Sequence, residues 1–129
     1  MAEVKHVVSL LQQGHVQVAG IQHSGKDRAR QTAEIFAAAL NPAQGLTNCE
    51  GINPLDDVTA FAKNLDTTAN QMYVGHLPFM QRLVSFLMIG DPERVVVEFQ
   101  NGGVVCLDYN VDNGCWTIKW NLVPNLGSI

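Results

Sequence analysis

The chain has 129 residues, of which 47% are hydrophobic and 16% charged. That balance excludes a disordered chain and a coiled coil, and the length suits one domain, residues 1–129, with a core of its own. Eight Lys and Arg against twelve Asp and Glu give a net charge of −4. This argues against nucleic acid or an acidic membrane surface as partner, though it leaves room for a local basic pocket.

Residues Ala2 to Gln13 read as a helix. Val4, Val7, Val8 and Leu11 share one face at helical spacing, and Gly14 is the stop signal. His15 to His23 read as a strand, with Val16, Val18 and Ile21 apolar, and Ser24-Gly25 breaks it. Asp27 starts a second helix that runs to about Leu40, with Ile35, Phe36, Ala39 and Leu40 as its apolar face and Asn41-Pro42 as its end. The stretch from Ala43 to Pro54 reads as loop with room for a short strand.

A third helix begins near Leu55-Asp56-Asp57 and buries Val58, Phe61, Ala62 and Leu65. The two aspartates suit its positive end. Gln71 to Gly75 is a short strand, and Leu77-Pro78 opens a fourth helix with Phe79, Leu83, Phe86 and Leu87 inward and Gly90 at its end. Three antiparallel strands are expected after that: Arg94 to Phe99, Val104 to Tyr109 and Cys115 to Leu122. The first turn is Asn101-Gly102-Gly103. The last strand alternates, with Trp116, Ile118, Trp120 and Leu122 on one face, read as a core stripe. The order predicts an α/β domain with a mixed, mostly parallel sheet between helices.

Cys49, Cys106 and Cys115 are an odd number without metal-ligand spacing. Asp112-Asn113-Gly114 is a better turn than Asn110-Val111, because Val111 tolerates positive φ poorly, and a hairpin centred there offsets Cys106 from Cys115. Reduced thiols follow, and with them a cytoplasmic location. The apolar runs are too short to span a bilayer, and MAEVKH lacks the basic flank and apolar core of a secretory signal. No carboxylate or histidine cluster has metal spacing and Gly-x-Gly-x-x-Gly is absent, so no cofactor is expected.

Two polar segments occupy corresponding places. His23-Ser24-Gly25-Lys26-Asp27-Arg28 follows the first strand and opens a helix. Val74-Gly75-His76-Leu77-Pro78 follows a later strand and opens another. In a parallel sheet both lie at the carboxyl edge, where ligands bind and helix N-termini offer free N–H groups to anions. Arg28 is either a surface charge or a phosphate fork. A cation at a helix start opposes the dipole, which favours a reason for it. His76 is either a turn histidine or a switchable donor. His6 and His15 read as solvent or helix-end residues, Arg30 as solvent-facing, and Asp56 and Asp57 as helix-start residues.

Ser24-x-x-x-Arg28-Ala29-x-Gln31-Thr32-Ala33-Glu34-Ile35 resembles the second signature of the histidine phosphatase superfamily, which has the phosphoglycerate-mutase-like fold. Val74-Gly75-His76-Leu77-Pro78 resembles its later histidine signature. The short chain, the alanine-rich helix and the hairpin-rich end are most similar to the SixA-type phosphohistidine phosphatases, from about Ala2 to Val123. The resemblance implies a three-layer fold. It also implies a phosphoryl substrate or phosphate anion as ligand, Arg28 and His76 as catalytic and phosphate-holding residues, and a phosphohistidine intermediate on a histidine of an Arg-His-Gly motif. His23 would be adjacent to the pocket at best.

The sequence contains no Arg-His-Gly, and Gly14-His15 sits at the start of a strand, the opposite edge. The chain therefore resembles the family without its first strand and nucleophile, which accounts for an opening helix with no strand before it. Little or no turnover is expected. The alternative is a non-catalytic phosphoryl-binding or protein-interaction module. A mutase is disfavoured, because the long insertions that enclose a sugar phosphate are missing. Losing a central strand exposes backbone edges. Closure of the neighbouring strands, or a homodimer covering the edge, is expected to heal the gap.

Overall fold

A computed structural model describes residues 2–100 and 102–123. The order is α1 (Ala2–Gln13), β1 (Gly20–His23), α2 (Asp27–Leu40), β2 (Leu46–Asn48), α3 (Val58–Lys63), β3 (Gln71–Val74), α4 (Phe79–Ile89), β4 (Val104–Asn110) and β5 (Cys115–Leu122). β1, β2 and β3 form a parallel sheet in the order β2-β1-β3, with His23 level with Asn48 on one side and Val74 on the other. The three strands therefore end together, and their outgoing loops share one edge.

Helices cover both faces of this sheet. Val7 and Leu11 of α1, Ile21 of β1, and Ala33 and Phe36 of α2 pack into one core cluster. On the other face Ile52, Val58, Phe79 and Leu83 form a second cluster. Tyr73 of β3 joins that side, since its ring meets Phe61 edge-on at 5.2 Å and Phe61 meets Phe79 at 5.8 Å. The two clusters and the sheet between them make the three layers expected from the sequence.

The opening helix is part of the core. Val4, Val7, Val8 and Leu11 are all buried, as their spacing demands. The inward face of α2 is turned from the expected one. Ala29, Ala33 and Phe36 are buried, while Ile35, Ala39 and Leu40 pack at its margin. The small alanines let the helix approach the sheet closely, and a face defined by the largest side chains misses them. α4 buries Val84 beside Phe79 and Leu83, with Phe86 and Leu87 partly covered. Its C-cap is Gly90 in the left-handed region, with the cap N–H donating to Phe86 O.

Three expectations are corrected. The strand placed over 15–23 begins only at Gly20, where the ladder to β3 starts, and His15 takes a positive φ of 55°, outside strand geometry. Arg94 to Phe99 forms no strand. α4 holds it at both ends instead: the Phe99 N–H donates to Gln81 Oε1 at 2.9 Å, and just before the segment the Arg82 Nε donates to the Glu93 carboxylate, at Oε1, at 3.0 Å. Val95 and Val96 consequently stay exposed. Asn101, in the turn expected next, lies outside the described residues, and Gly103 N–H closes a turn onto Gln100 O at 2.9 Å.

The third correction concerns the stripe on β5. Cys106 pairs with Trp120 but the adjacent Leu107 pairs with Ile118, so Lys119 is an extra residue on β5. Neighbouring residues on β4 face opposite ways. The bulge therefore puts Trp120 and Leu122 on one face and Ile118 and Trp116 on the other. Trp120 and Leu122 pack on the α1–α2 cluster. Trp116 stacks edge-on with Tyr109 at 5.3 Å, and Ile118 is exposed. The β4–β5 turn runs through Asp112-Asn113-Gly114, with Gly114 at φ 66°, and Cys106 and Cys115 are unpaired thiols, as expected.

β4 and β5 form a separate two-stranded sheet. Among the described residues the expected closure of β3 onto its neighbour does not occur. No described helix is long and apolar enough to cross a membrane.

Truncating Leu11 to Ala should cost about 2–5 kcal/mol, the usual range for a core leucine, whereas Val95→Ala should stay within about 0.5 kcal/mol as a solvent-facing change. Urea unfolding of both variants checks this. Equal losses would mean that 94–99 is a packed strand.

Candidate functional site

The shared edge of the parallel sheet sets the site. The chain leaves β1 through Ser24-Gly25-Lys26 into α2, and leaves β3 through Gly75-His76-Leu77-Pro78 into α4. Gly25 takes φ 87°, and a Cβ there would sit 3.0 Å from the Asn48 amide. At Gly75 a Cβ would sit 3.0 Å from Met80 Sδ and 3.4 Å from Ile52 O. Both glycines let the loops turn tightly against their neighbours.

The two loops meet. Ser24 Oγ and His76 Nε2 are hydrogen-bonded at 2.6 Å, across 52 positions of sequence. Arg28, one turn further on, lines the same cleft as His76. Its side chain is exposed, so the guanidinium is available to an anion. Sequence reasoning named Arg28 and His76 as candidates but did not foresee that Ser24 hydrogen-bonds to His76. Its signal was available as the first residue of the Arg28 segment, but the pairing follows only once β1 and β3 are known to be adjacent.

The electrostatics favour an anion. α2 begins at an N-cap, Lys26, whose side chain makes no capping hydrogen bond, and the first intrahelical bond is Arg30 N–H to Lys26 O. The N–H groups of the first turn therefore point at the loop edge with the positive end of a 14-residue helix behind them. Asp27 leans toward Arg30, its Oδ1 3.5 Å from Arg30 Nη2, and Arg30 also approaches Glu34. Partial desolvation and the charge of Lys26 hold the His76 imidazole below its ordinary value of 6.5.

Other candidates take structural roles. His23 is 8% exposed, and its Nδ1 accepts the Gly25 N–H at 3.0 Å, so it props the turn. Asp57 caps α3: Oδ1 accepts from Thr59 N–H at 2.9 Å and from its hydroxyl at 2.7 Å, which lowers its pKa. Asp56 Oδ2 accepts from Asn53 N–H. His6 is exposed on α1, and His15 lies at the far end of the cleft. Cys49 follows β2 near this edge, but burial and Glu50 push its thiol up, away from the reactive thiolate. Among the described residues no group of His, Cys, Asp and Glu is placed to hold a metal ion.

No family model matches the chain, and no curated protein matches it in sequence. Solved structures do match. The protein histidine phosphatase SixA complexed with tungstate superposes with a TM-score of 0.78 at 21% identity, over 94% of this chain and 78% of that one. SixA from Agrobacterium tumefaciens superposes with a TM-score of 0.73 at 20% identity, over 95% of this chain and 79% of that one. The chain has the SixA fold.

The depressed His76 value fixes a sign. The unfolded chain binds this proton more tightly, so the neutral ring's contribution to stability is intact above 6.5 and is lost as pH falls through the lowered folded value. NMR titration of the ligand-free protein should give a His76 midpoint below 6.5, and Lys26→Gln should move it upward. A midpoint above 6.5 would contradict the described environment.

Proposed function

We propose that this domain holds a tetrahedral phosphoryl group at the rim formed by Ser24–Arg28 and His76, as a phosphohistidine phosphatase-like module. The observation that carries the reading is the Ser24–His76 hydrogen bond. It joins the two segments whose sequence pattern suggested phosphoryl chemistry, on the cleft that Arg28 also lines. The likeness in fold to a SixA structure that holds tungstate, itself a tetrahedral oxyanion, supports the same reading.

Each residue has a chemical part. The Arg28 guanidinium presents parallel N–H donors to two oxygens of the group. The amides of the first turn of α2 and the Lys26 charge add donors and field from one side. His76 gives up its bond to Ser24 and donates from Nε2 to a third oxygen. An anion there raises the imidazole's proton affinity, opposing the effect of desolvation and Lys26.

These groups bind charge and would stabilise its build-up on the equatorial oxygens during transfer. Transfer itself needs a nucleophile in line with the leaving group. His23 is occupied with the Gly25 amide, His15 is at the other end of the cleft, and the sequence has no Arg-His-Gly. The residues present therefore bind the phosphoryl group without turning it over, and the chain alone acts as a binding module of phosphatase type.

Calorimetric titration with inorganic phosphate tests the reading. Arg28→Ala should weaken binding about tenfold to a hundredfold, the worth of a charged hydrogen-bond pair. Hydrolysis of p-nitrophenyl phosphate should match that of a His76→Ala control. Phosphate affinity unchanged by loss of Arg28 would overturn the binding site. Turnover above the control would overturn the absence of a nucleophile.

A further inference from the structure

In the ligand-free chain the half-buried Ser24 hydroxyl lies against the His76 imidazole at 2.6 Å. That separation fits an O–H donor and is short for an N–H donor. The Lys26 N–H donates to Ser24 Oγ at 3.4 Å, so the hydroxyl keeps its own hydrogen for the ring. The Ser24 hydroxyl therefore donates to His76 Nε2, and the neutral ring carries its proton on Nδ1. Desolvation and the Lys26 charge favour that neutral form. A hydroxyl bonded to an unprotonated imidazole nitrogen is a nucleophile beside its general base.

The backbone presents this pair. Ser24 is the first residue after β1, and Gly25, at φ 87°, turns the chain sharply toward α2, which starts at Asp27. A strand-to-helix turn of this kind lifts a serine clear of the end of a parallel sheet. His76 is fixed from the other loop, where its carbonyl accepts the Met80 N–H at 2.9 Å in the first turn of α4. The amide that follows a nucleophilic serine commonly serves as an oxyanion donor. Here the Gly25 N–H is taken by His23 Nδ1. The donors left for a developing oxyanion are the amides of the first turn of α2, with the positive end of the helix behind them.

We propose that Ser24 and His76 form a nucleophile–base dyad that transfers the acyl group of an uncharged carboxylic ester. Ser24 Oγ attacks the carbonyl carbon, the carbonyl π pair moves onto its oxygen, and the hydroxyl proton passes to His76 Nε2. The oxyanion then collapses, the bond from carbon to the alcohol oxygen breaks, and Nε2 gives its proton to that oxygen as the alcohol leaves. Acyl-Ser24 remains. Water attacks it by the same route, which releases the carboxylic acid and restores the serine. The ester is uncharged because of competition at His76: an anion that draws the ring away leaves Ser24 an ordinary alcohol. The dyad needs only the Ser24–His76 contact and stands or falls apart from anion binding.

Phenylmethylsulfonyl fluoride tests the dyad, because the bond from sulfur to Oγ is stable once fluoride has left. Peptide mass spectrometry should find Ser24 modified about a hundredfold faster than the exposed Ser9, the lower end of what a positioned base contributes. His76→Ala should bring Ser24 down to the Ser9 rate. His76→Gln keeps a hydrogen-bond partner for Ser24 but no base, and should do the same. The unaltered chain should also hydrolyse p-nitrophenyl acetate faster than Ser24→Ala. Modification of Ser24 no faster than that of Ser9 would overturn the inference. So would an unchanged Ser24 rate in His76→Gln, or equal ester hydrolysis by Ser24→Ala.

Discussion

The hydrogen bond between Ser24 and His76 depends on one constraint, the parallel register that sets His23 level with Val74. Because β1 and β3 end together, a serine one residue beyond the first strand and a histidine two beyond the other come within 2.6 Å. The rest of the site is downstream of that register. α2 starts three residues after Ser24, so its free amides and Arg28 arrive at the same edge. A slip of one residue between β1 and β3 would turn every side chain of one strand to the other face and separate the two loops.

The register is itself held by packing on both faces. Ile21 is fully buried among α1 and α2, and Tyr73 is caught by Phe61 and Phe79 on the other side. Odd and even positions of the short strands thus serve different helix pairs. Four-residue strands cannot hold a register by backbone hydrogen bonds alone. The two apolar clusters do so, and the polar rim sits at the end of the strands, where the clusters stop.

Much of this was legible in the sequence because it is local. The apolar spacing of Val4, Val7, Val8 and Leu11, the stop at Gly90 and the Asp112-Asn113-Gly114 turn each depend on a few neighbouring residues, and each appears as read. The failures are tertiary. Val95-Val96-Val97 has strand propensity, but a strand needs a partner, and here the Phe99 amide that follows is taken by Gln81 of α4 instead. The alternation of Trp116, Ile118, Trp120 and Leu122 suggests one buried face, yet the extra residue at Lys119 splits it, and a bulge leaves no mark on alternation. At the site, Arg28 and His76 could be named from their segments. Ser24 could not be joined to His76, because a separation of 52 positions hides the contact until the sheet order is known.

The account's central claim is that loops far apart in sequence form one anion site. It is tested most directly by a crystal structure of the chain soaked with tungstate. The account predicts one oxyanion within hydrogen-bond distance of His76 Nε2, the Arg28 guanidinium and an amide of the first turn of α2, with Ser24 displaced from the ring. A crystal in which the oxyanion avoids this rim, or in which His76 lies away from Ser24 and Arg28, would contradict it.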